Sequence, residues 1–487
     1  MALPKRNPAT ESEPDELPNN LRWRAFWVCI AAGALTILDL SGVNVALPSI
    51  QKGLSASSAQ LQLVVAGYAL AFGLALVPAG RLGDMRSRRT MFLIGLSAFA
   101  LASAACALVQ SDVWLTVTRL LQGAAAGMLM PQVLGLIQQL FGPQDRPKAF
   151  GLFGAMVGVA TALGPTLCGL LIAAGGESDG WRLLFWFNVP CGAAALIFAW
   201  RLLPARQGGS PDTELDFVGI GLLGAAVFCL MLPFLLTSGG EGDDPLRWLW
   251  LIGGAVFATA FLWWERRYAA RGKSPVVHLD LFRMASYRNG AAIAAVYFAG
   301  MPATFLVTTL YLQEGLGAAP LLAALATVPF ALSSAVAAWY GGKLVERFGR
   351  SLVVVGLGIV ALAIAGLAAA ATLTPPHLSE GPMAGAMLVG GIGGGLVISP
   401  NQTLTLADVP REEGSVAGSI QQLGQRLGTA VGLAAISAVF FRDVRSGQHA
   451  PIAEYHEGVL AGFAIAFGLV LLTLVIGFVD LRQRVKS

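Results

Sequence analysis

The sequence predicts an all-α polytopic membrane protein with fourteen transmembrane helices, arranged as six plus two plus six, and with both termini in the cytoplasm. Three observations lead to this prediction. Apolar residues make up 55% of the 487 residues and charged residues only 12%, whereas soluble proteins are roughly one quarter charged. Apolar runs of helix-spanning length follow one another closely, and one charged motif between two such runs occurs twice.

The apolar runs, each about 20 residues long, mark the predicted spans. The first follows a polar, acidic stretch, so residues 1–21 are predicted to be a disordered cytoplasmic tail, and residues 481–487 a second tail. Most of the 32 Lys and Arg residues fall on the side of the N-terminus, which the positive-inside rule assigns to the cytoplasm. The predicted spans are 25–47, 62–83, 90–110, 113–140, 148–174, 181–203, 217–238, 246–265, 288–313, 320–345, 351–373, 381–406, 414–441 and 457–480.

The repeated motif defines how these spans are grouped. Its copies close span 2 and span 10, which are eight spans apart, whereas two six-span halves would place them six apart. An extra pair of spans must therefore lie between the halves. We predict an N-terminal six-helix half (22–205), a central two-helix insertion with its flanking loops (206–273) and a C-terminal six-helix half (274–480). Internal repeats of this kind are typical of secondary transporters, whose substrate path lies between the repeats.

The two copies of the motif share a glycine, an acid and an arginine, each four residues apart. We predict that these residues form an inner gate, because anions at helix ends can pair with the arginines and with positive helix N-termini. The alternative is that the two segments are simple topology-setting loops. The residues concerned are Gly80, Asp84, Arg88, Gly342, Glu346 and Arg350.

Asp39 is the main candidate for proton handling. It lies within span 1, about nine residues or about 13 Å from the outer end near Pro48. A carboxylate at that depth is costly unless it is protonated or paired. Arg119 of span 4 lies in the same half of the bilayer and is its predicted partner. Burial favours the protonated carboxyl and a nearby guanidinium favours the carboxylate, so movement of Arg119 could drive proton uptake and release; the alternative is a permanent structural ion pair.

Arg426 is a second buried cation, in span 13. Gln422, Gln425 and Arg426 lie within about one third of the helix circumference and form a polar stripe. This stripe could bind an anionic or hydrogen-bonding substrate, or Arg426 could instead pair with Asp39 or with carbonyl groups. We predict that the substrate cavity is lined by Asn44, Gln122, Gln422, Gln425 and Arg426.

Gly164 and Pro165 interrupt span 5. Proline removes a backbone donor and glycine lets helices approach closely, so the segment can bend or pack tightly. The sequence lacks a P-loop, HExxH or GxSxG motif, and the cysteines show no CxxC spacing. Composition gives no support for nucleic-acid binding, and neither a metal nor a cofactor is predicted.

Several motifs resemble those of one family across nearly the whole chain. Leu38 to Pro48, Arg119 to Gly123 and Gly164-Pro165 resemble the first-, fourth- and fifth-span signatures of the fourteen-span drug:proton antiporters of the major facilitator superfamily. The loop motif resembles the superfamily hallmark, although Met85 and Ser87 depart from it. The resemblance implies that Asp39 and Arg119 carry proton coupling, that Gly164 and Pro165 form the conformational switch, and that Asp84 with Arg88 forms the inner gate.

These observations predict a proton-driven exporter of lipophilic organic compounds, such as drugs, antibiotics, dyes or secondary metabolites, in a bacterial cytoplasmic membrane. The proton gradient is the expected energy source, and a monomer in the lipid bilayer is the expected state. One alternative is a dedicated exporter of one endogenous metabolite or siderophore. A polytopic membrane enzyme or sensor is a further alternative, but the chain has neither a buried catalytic constellation nor a sizeable soluble domain.

Overall fold

The computed structural model describes residues 18–176, 178–204, 215–236, 244–318, 320–375, 378–443 and 451–485. Most of the predicted N-terminal tail, residues 1–17, lies outside the described residues. Within them the chain forms fourteen α-helices: α1 Asn19–Leu54, α2 Ser58–Met85, α3 Arg88–Leu108, α4 Asp112–Leu140, α5 Arg146–Gly175, α6 Trp181–Leu202, α7 Phe217–Leu235, α8 Trp250–Ala270, α9 Ala285–Leu310, α10 Pro320–Phe348, α11 Arg350–Leu373, α12 Glu380–Thr405, α13 Gly414–Asp443 and α14 Ile452–Val485.

The prediction of an all-α polytopic membrane protein is confirmed. Thirteen helical segments are long and apolar enough to cross a bilayer by length and composition, and α10 adds a further helix of 29 residues. Helix continues into both of the predicted tails. The helix α1 begins directly after Pro18, whose carbonyl accepts hydrogen bonds from the Leu21 and Arg22 amides. At the other end, Leu, Arg and Gln residues are good helix formers, and α14 continues through them to Val485.

Four pairs of helices join the first six helices to the last six. The helices α2 and α4 pack against α13, and α5 packs against α10 and α12. Small residues allow the α2/α13 and α5/α10 approaches. A Cβ on Gly80 would lie 2.9 Å from the Ser415 carbonyl oxygen, and one on Gly342 would lie 2.6 Å from the Gly151 Cα. The first glycine of each motif copy is therefore at a close crossing between the two groups of helices.

The central helices α7 and α8 pack against each other, and α7 also contacts both α2 and α13. The pair therefore lies beside the α2/α13 crossing. We call the end of the molecule that carries Asp84, Arg88 and Arg350 the motif end. Here one apolar cluster is continuous from Leu134 of α4 to Leu406 and Ala417 beyond α12. Apolar packing thus joins the two groups of helices at the motif end.

Candidate functional site

Asp39 lies at the centre of a fully buried polar cluster. Its Oδ2 is 2.6 Å from Arg119 Nη1 in an ion pair, and both side chains are almost completely excluded from solvent. Its Oδ1 accepts hydrogen bonds from Gln122 Nε2 at 3.0 Å and from Asn188 Nδ2 at 2.9 Å. Gln122 also donates to Ser103 Oγ at 2.8 Å. The cluster therefore joins α1, α3, α4 and α6 around one carboxylate.

Close packing of α4 against α2 determines the surroundings of Arg119. A Cβ on Gly123 would lie 2.8 Å from the Tyr68 Cα, so only glycine fits there. This approach brings the Tyr68 ring over the Arg119 guanidinium, with 4.2 Å between the guanidinium carbon and the ring centroid. Phe185 of α6 lies on the cation at 5.7 Å. If Asp39 became protonated, two aromatic faces would remain to stabilise the cation.

The helix α5 contacts α1 at the turn that carries Asp39. Gly164 is buried, and a Cβ there would lie 2.9 Å from the Leu38 carbonyl oxygen and would collide with Ser41 Oγ. Ser41 Oγ in turn donates to the Ile37 carbonyl at 2.9 Å. Pro165 follows Gly164 and lacks an N–H, so the α5 backbone carries one hydrogen bond fewer at this point. A bend in α5 would therefore move atoms that contact the neighbours of Asp39.

The residues predicted to line the substrate cavity lie in different surroundings. Gln122 is fully buried and belongs to the Asp39 cluster, whereas Asn44 is exposed and Gln425 is half-buried. Gln422 is nearly buried, and its Oε1 has no hydrogen-bond partner among the described residues. Its neighbour Arg426 is half-buried.

The Arg426 guanidinium carbon lies 4.6 Å from the centroid of the Phe72 ring of α2. Within the part of the chain that the structure describes, Arg426 makes no ion pair or hydrogen bond. Phe72 stacks on Tyr68, with 6.3 Å between ring centroids, and Tyr68 covers Arg119. The stacked rings of Tyr68 and Phe72 therefore lie between the Asp39 cluster and the guanidinium of Arg426.

Asp84 and Arg88 connect α2 and α3 to the beginning of α13. Arg88 donates to Asp84 Oδ1 through Nε at 2.8 Å and Nη2 at 2.6 Å. Asp84 also accepts the backbone N–H groups of Ser415 at 3.2 Å and Val416 at 2.8 Å. Arg88 Nη2 further donates to the Arg411 carbonyl. We call this set the Asp84 latch; a carboxylate at a helix N-terminus is favoured by the free amides and by the helix dipole.

The second motif copy is arranged differently from the predicted pairing. Glu346 is exposed, and Arg350 pairs with Asp480 of α14 instead. Arg350 also donates to Asn401 Oδ1 and to the Ser286 carbonyl oxygen, so every one of these partners lies within the last six helices. A fully buried guanidinium needs a buried counter-charge, and Asp480 supplies it where the exposed Glu346 cannot.

Sequence reasoning missed several members of these clusters. Asn188 is a polar residue between apolar neighbours in the interior of its predicted span, and that isolation could have drawn attention to it, whereas Ser103 is one of two serines in its span. Tyr68 gave no such signal, because aromatic residues are common in spans. Asp480 lies at the last position of the last predicted span, 130 positions after Arg350, and no sequence pattern connects the two residues.

Comparisons with known proteins agree on one family. A family model described as Major Facilitator Superfamily matches residues 29–216 and 217–433. The chain is 35% identical over 432 residues to the probable actinorhodin transporter of Streptomyces coelicolor, covering 87% of this chain and 73% of that protein. It is 30% identical over 414 residues to the tetracenomycin C resistance and export protein of Streptomyces glaucescens, covering 85% and 75%.

A solved structure gives the same fold. The proton:xylose symporter XylE, bound to 6-bromo-6-deoxy-D-glucose, matches with a TM-score of 0.65 at 16% identity, covering 94% of this chain and 95% of that one. At this level of identity the likeness concerns the fold alone.

Proposed function

The chain belongs to the major facilitator superfamily, and on that premise we propose that it is a proton-coupled antiporter that exports lipophilic organic compounds by alternating access. Membership of this family confirms the prediction that the chain is a transporter and not an enzyme. Together with the many helices that could cross a bilayer, it also confirms the prediction of a multi-pass protein in a bacterial cytoplasmic membrane. One of the two relatives is named as a probable actinorhodin transporter and the other as a tetracenomycin C resistance and export protein. These names support export of antibiotics or secondary metabolites here.

The proposed topology is six plus two plus six, with both termini and the motif end in the cytoplasm. An even number of spans returns the chain to the side on which it began. The bias of Lys and Arg supports the cytoplasm as that side. The helices α7 and α8 are then the central insertion, and the Asp84 latch is a cytoplasmic contact between the two halves that closes the inward path.

The observation that carries the proton-coupling proposal is the Asp39–Arg119 ion pair in the bilayer. A carboxylate that is excluded from solvent and held by a cation and two amides can lose its charge only if its partners rearrange. Protonation from the outside would remove the anionic partner of Arg119. We propose that Arg119 then moves toward the Tyr68 ring while α5 shifts at Gly164, which favours opening of the motif end and proton release there. No cofactor is required.

A second candidate function is a dedicated exporter of one acidic metabolite, and Arg426 favours it. This guanidinium is half-buried and has no carboxylate partner among the described residues. An anionic group of a substrate would supply that partner, with Gln422 and Gln425 beside it. The proposed oligomeric state for either function is a monomer.

Proteoliposomes with an imposed pH gradient test the proposed function. Uptake of a panel of lipophilic antibiotics and dyes is followed with the gradient intact and after its collapse by an ionophore. Accumulation against the concentration gradient only while the pH gradient exists is the expected result. Equal uptake in both conditions would contradict proton coupling. Mutual competition among unrelated compounds would favour the multidrug function, and inhibition by acidic compounds alone would favour the dedicated one.

A further inference from the structure

The connection between α8 and α9 holds a short segment against both groups of helices at the motif end. We call residues 271–278 the strap. Gly272 has a φ of +73°, a left-handed conformation that suits glycine and lets the chain reverse after α8. Pro275, Val276 and Val277 are then buried, and the two valines belong to the apolar cluster that includes Leu406 and Ala417. Residues 275–277 of the strap are therefore packed into the protein, whereas residues 271–273 are exposed.

Glu265 attaches the strap to α8. This carboxylate is 1% exposed, and it accepts the Val277 amide at 3.1 Å and the Val276 amide at 3.4 Å. Asp216, which caps α7 through the Gly219 amide, accepts a hydrogen bond from Trp264 Nε1 of α8 at 2.8 Å. Buried carboxylates are costly without such donors, so these contacts fix α7, α8 and the strap to one another.

The strap is also tied to both sides of the Asp84 latch. On one side, Arg81 of α2, three residues before Asp84, donates from Nη2 to Ser274 Oγ. On the other, His278 Nδ1 is 3.1 Å from Glu413 Oε1, directly before α13. The Arg81 guanidinium interacts electrostatically with Asp84, Glu265 and Glu413. The strap thus bridges the same two helices that Asp84 joins directly.

We propose that the strap is a second closure of the inner gate, and that Ser274, His278 and Glu265 are positioning residues through which the central helix pair controls the opening of the motif end. This rests on the proposed alternating-access function. When α2 separates from α13, the strap can follow only one of them, so either the Arg81–Ser274 tie or the His278–Glu413 tie must break. Because the strap follows α8, this proposal gives the central helix pair a role in the transport cycle.

A distance measurement on the full chain tests this proposal without substrate or gradient. The five cysteines (Cys29, Cys106, Cys168, Cys191 and Cys229) are first replaced. Spin labels are then attached at Gln144→Cys, before α5, and at Arg347→Cys, near the end of α10; both positions are exposed and distant in sequence from the strap. Pulsed electron paramagnetic resonance gives the ratio of closed to open motif ends in Ser274→Ala, in His278→Ala and in the double variant.

Each single variant should lower the closed-to-open ratio about two- to tenfold, as expected for the loss of one hydrogen bond or ion pair. The double variant should be no more open than the more open single variant, because the strap bridges the gate only when both ties are present. Asp280→Ala, which removes an exposed ion pair with Arg283 in the same connection, is the matched control and should leave the ratio unchanged.

Unchanged distance distributions in both single variants, or effects that multiply in the double variant, would overturn the proposal. Glu265→Gln provides a second test of the strap. The amide keeps the size of the side chain but offers only one oxygen to the Val276 and Val277 N–H groups. This substitution should also lower the ratio. If the wild type showed no gradient-driven transport, the proposed function would fail while the distance result would still decide the role of the strap.

Discussion

The two copies of the loop motif lie at equivalent crossings, yet only the first joins the two halves through its acid. At the α2/α13 crossing, Asp84 accepts the Ser415 and Val416 amides at the beginning of α13. At the α5/α10 crossing, Glu346 is exposed, and Arg350 is directed to Asp480 in its own half. In the proposed mechanism, the first copy is part of a contact that breaks during transport, whereas Arg350 of the second copy connects helices of one group.

The helix N-termini that face the two acids explain this difference. The helix α13 begins at Gly414, and the Ser415 and Val416 N–H groups of its first turn donate to Asp84. The helix α5 has Pro147 in its first turn, which lacks an N–H, and Asp145 at its N-cap, which already supplies a negative charge. An approaching Glu346 would meet fewer donors and a like charge. Similar motifs thus become different contacts because of the helix ends opposite them.

The arginines within spans 4 and 13 also differ, because Arg119 is paired with Asp39 and Arg426 makes no ion pair among the described residues. Removing Arg119 should have the largest effect on stability, and removing Arg426 the smallest. Arg119→Met should leave Asp39 as an unpaired buried charge and lower the free energy of unfolding by about 3–5 kcal/mol. A denaturant titration in mixed micelles measures this. Adding Asp39→Asn to Arg119→Met should restore much of the lost stability. A loss that persists in the double variant would mean that packing, and not charge, explains the effect.

Substitution of Asp84 tests whether the first copy of the motif contributes more to closure of the motif end than the second copy. Asp84→Asn should weaken the charge-assisted bonds to Arg88 and to the α13 amides by about 1.5–3 kcal/mol and shift the motif end toward its open state. Glu346→Gln, the matched change in the second copy, should change little, within about 0.5 kcal/mol. Spin-label distances across the motif end measure both. Equal shifts in the two variants would refute the asymmetry proposed for the two copies.

Gly164 tests whether α5 and α1 must be in close contact. Gly164→Ala would force a Cβ against the Leu38 carbonyl and Ser41 Oγ, and we expect a cost of about 1–3 kcal/mol and a transport rate about tenfold lower. Gly169→Ala, also in α5, is the control, because nothing lies within 4 Å of a Cβ at that position. Initial rates in proteoliposomes compare them. If the Gly164→Ala variant were as active as the Gly169→Ala variant, Gly164 would not be part of a conformational switch.

Arg426 gives the smallest and most selective effect. Since it makes no ion pair within the described residues, Arg426→Gln should change stability by less than about 1 kcal/mol. If an anionic group of the substrate binds there, affinity for acidic compounds should fall about tenfold, while affinity for neutral ones should change little. Binding titrations with a matched acidic and neutral pair measure this. A uniform decrease across both compounds would indicate a general structural role.

Particular residues show what the sequence could predict. The depth of Asp39 and Arg119 in their spans could be calculated from the helical rise, and one charge of each sign in the same half of the bilayer predicted a pair. Arg350 and Asp480 could not be paired in this way, since the nearby Glu346 offered a partner at helical spacing. The helical spacing places Gln122 on the inward face of span 4, and this predicted a position in the cavity. The sequence does not give the distance from that face to Asp39, so the hydrogen bond between the two residues could not be predicted.

Transport by an Asp39→Asn variant tests the coupling mechanism most directly. Asparagine keeps the size of the side chain and can still accept a hydrogen bond from Arg119, but it cannot carry a proton. In proteoliposomes with an imposed pH gradient, this variant should bind substrate and exchange it across the membrane at equal concentrations, yet fail to accumulate it. Accumulation driven by the pH gradient in Asp39→Asn would show that Asp39 is not the coupling carboxylate.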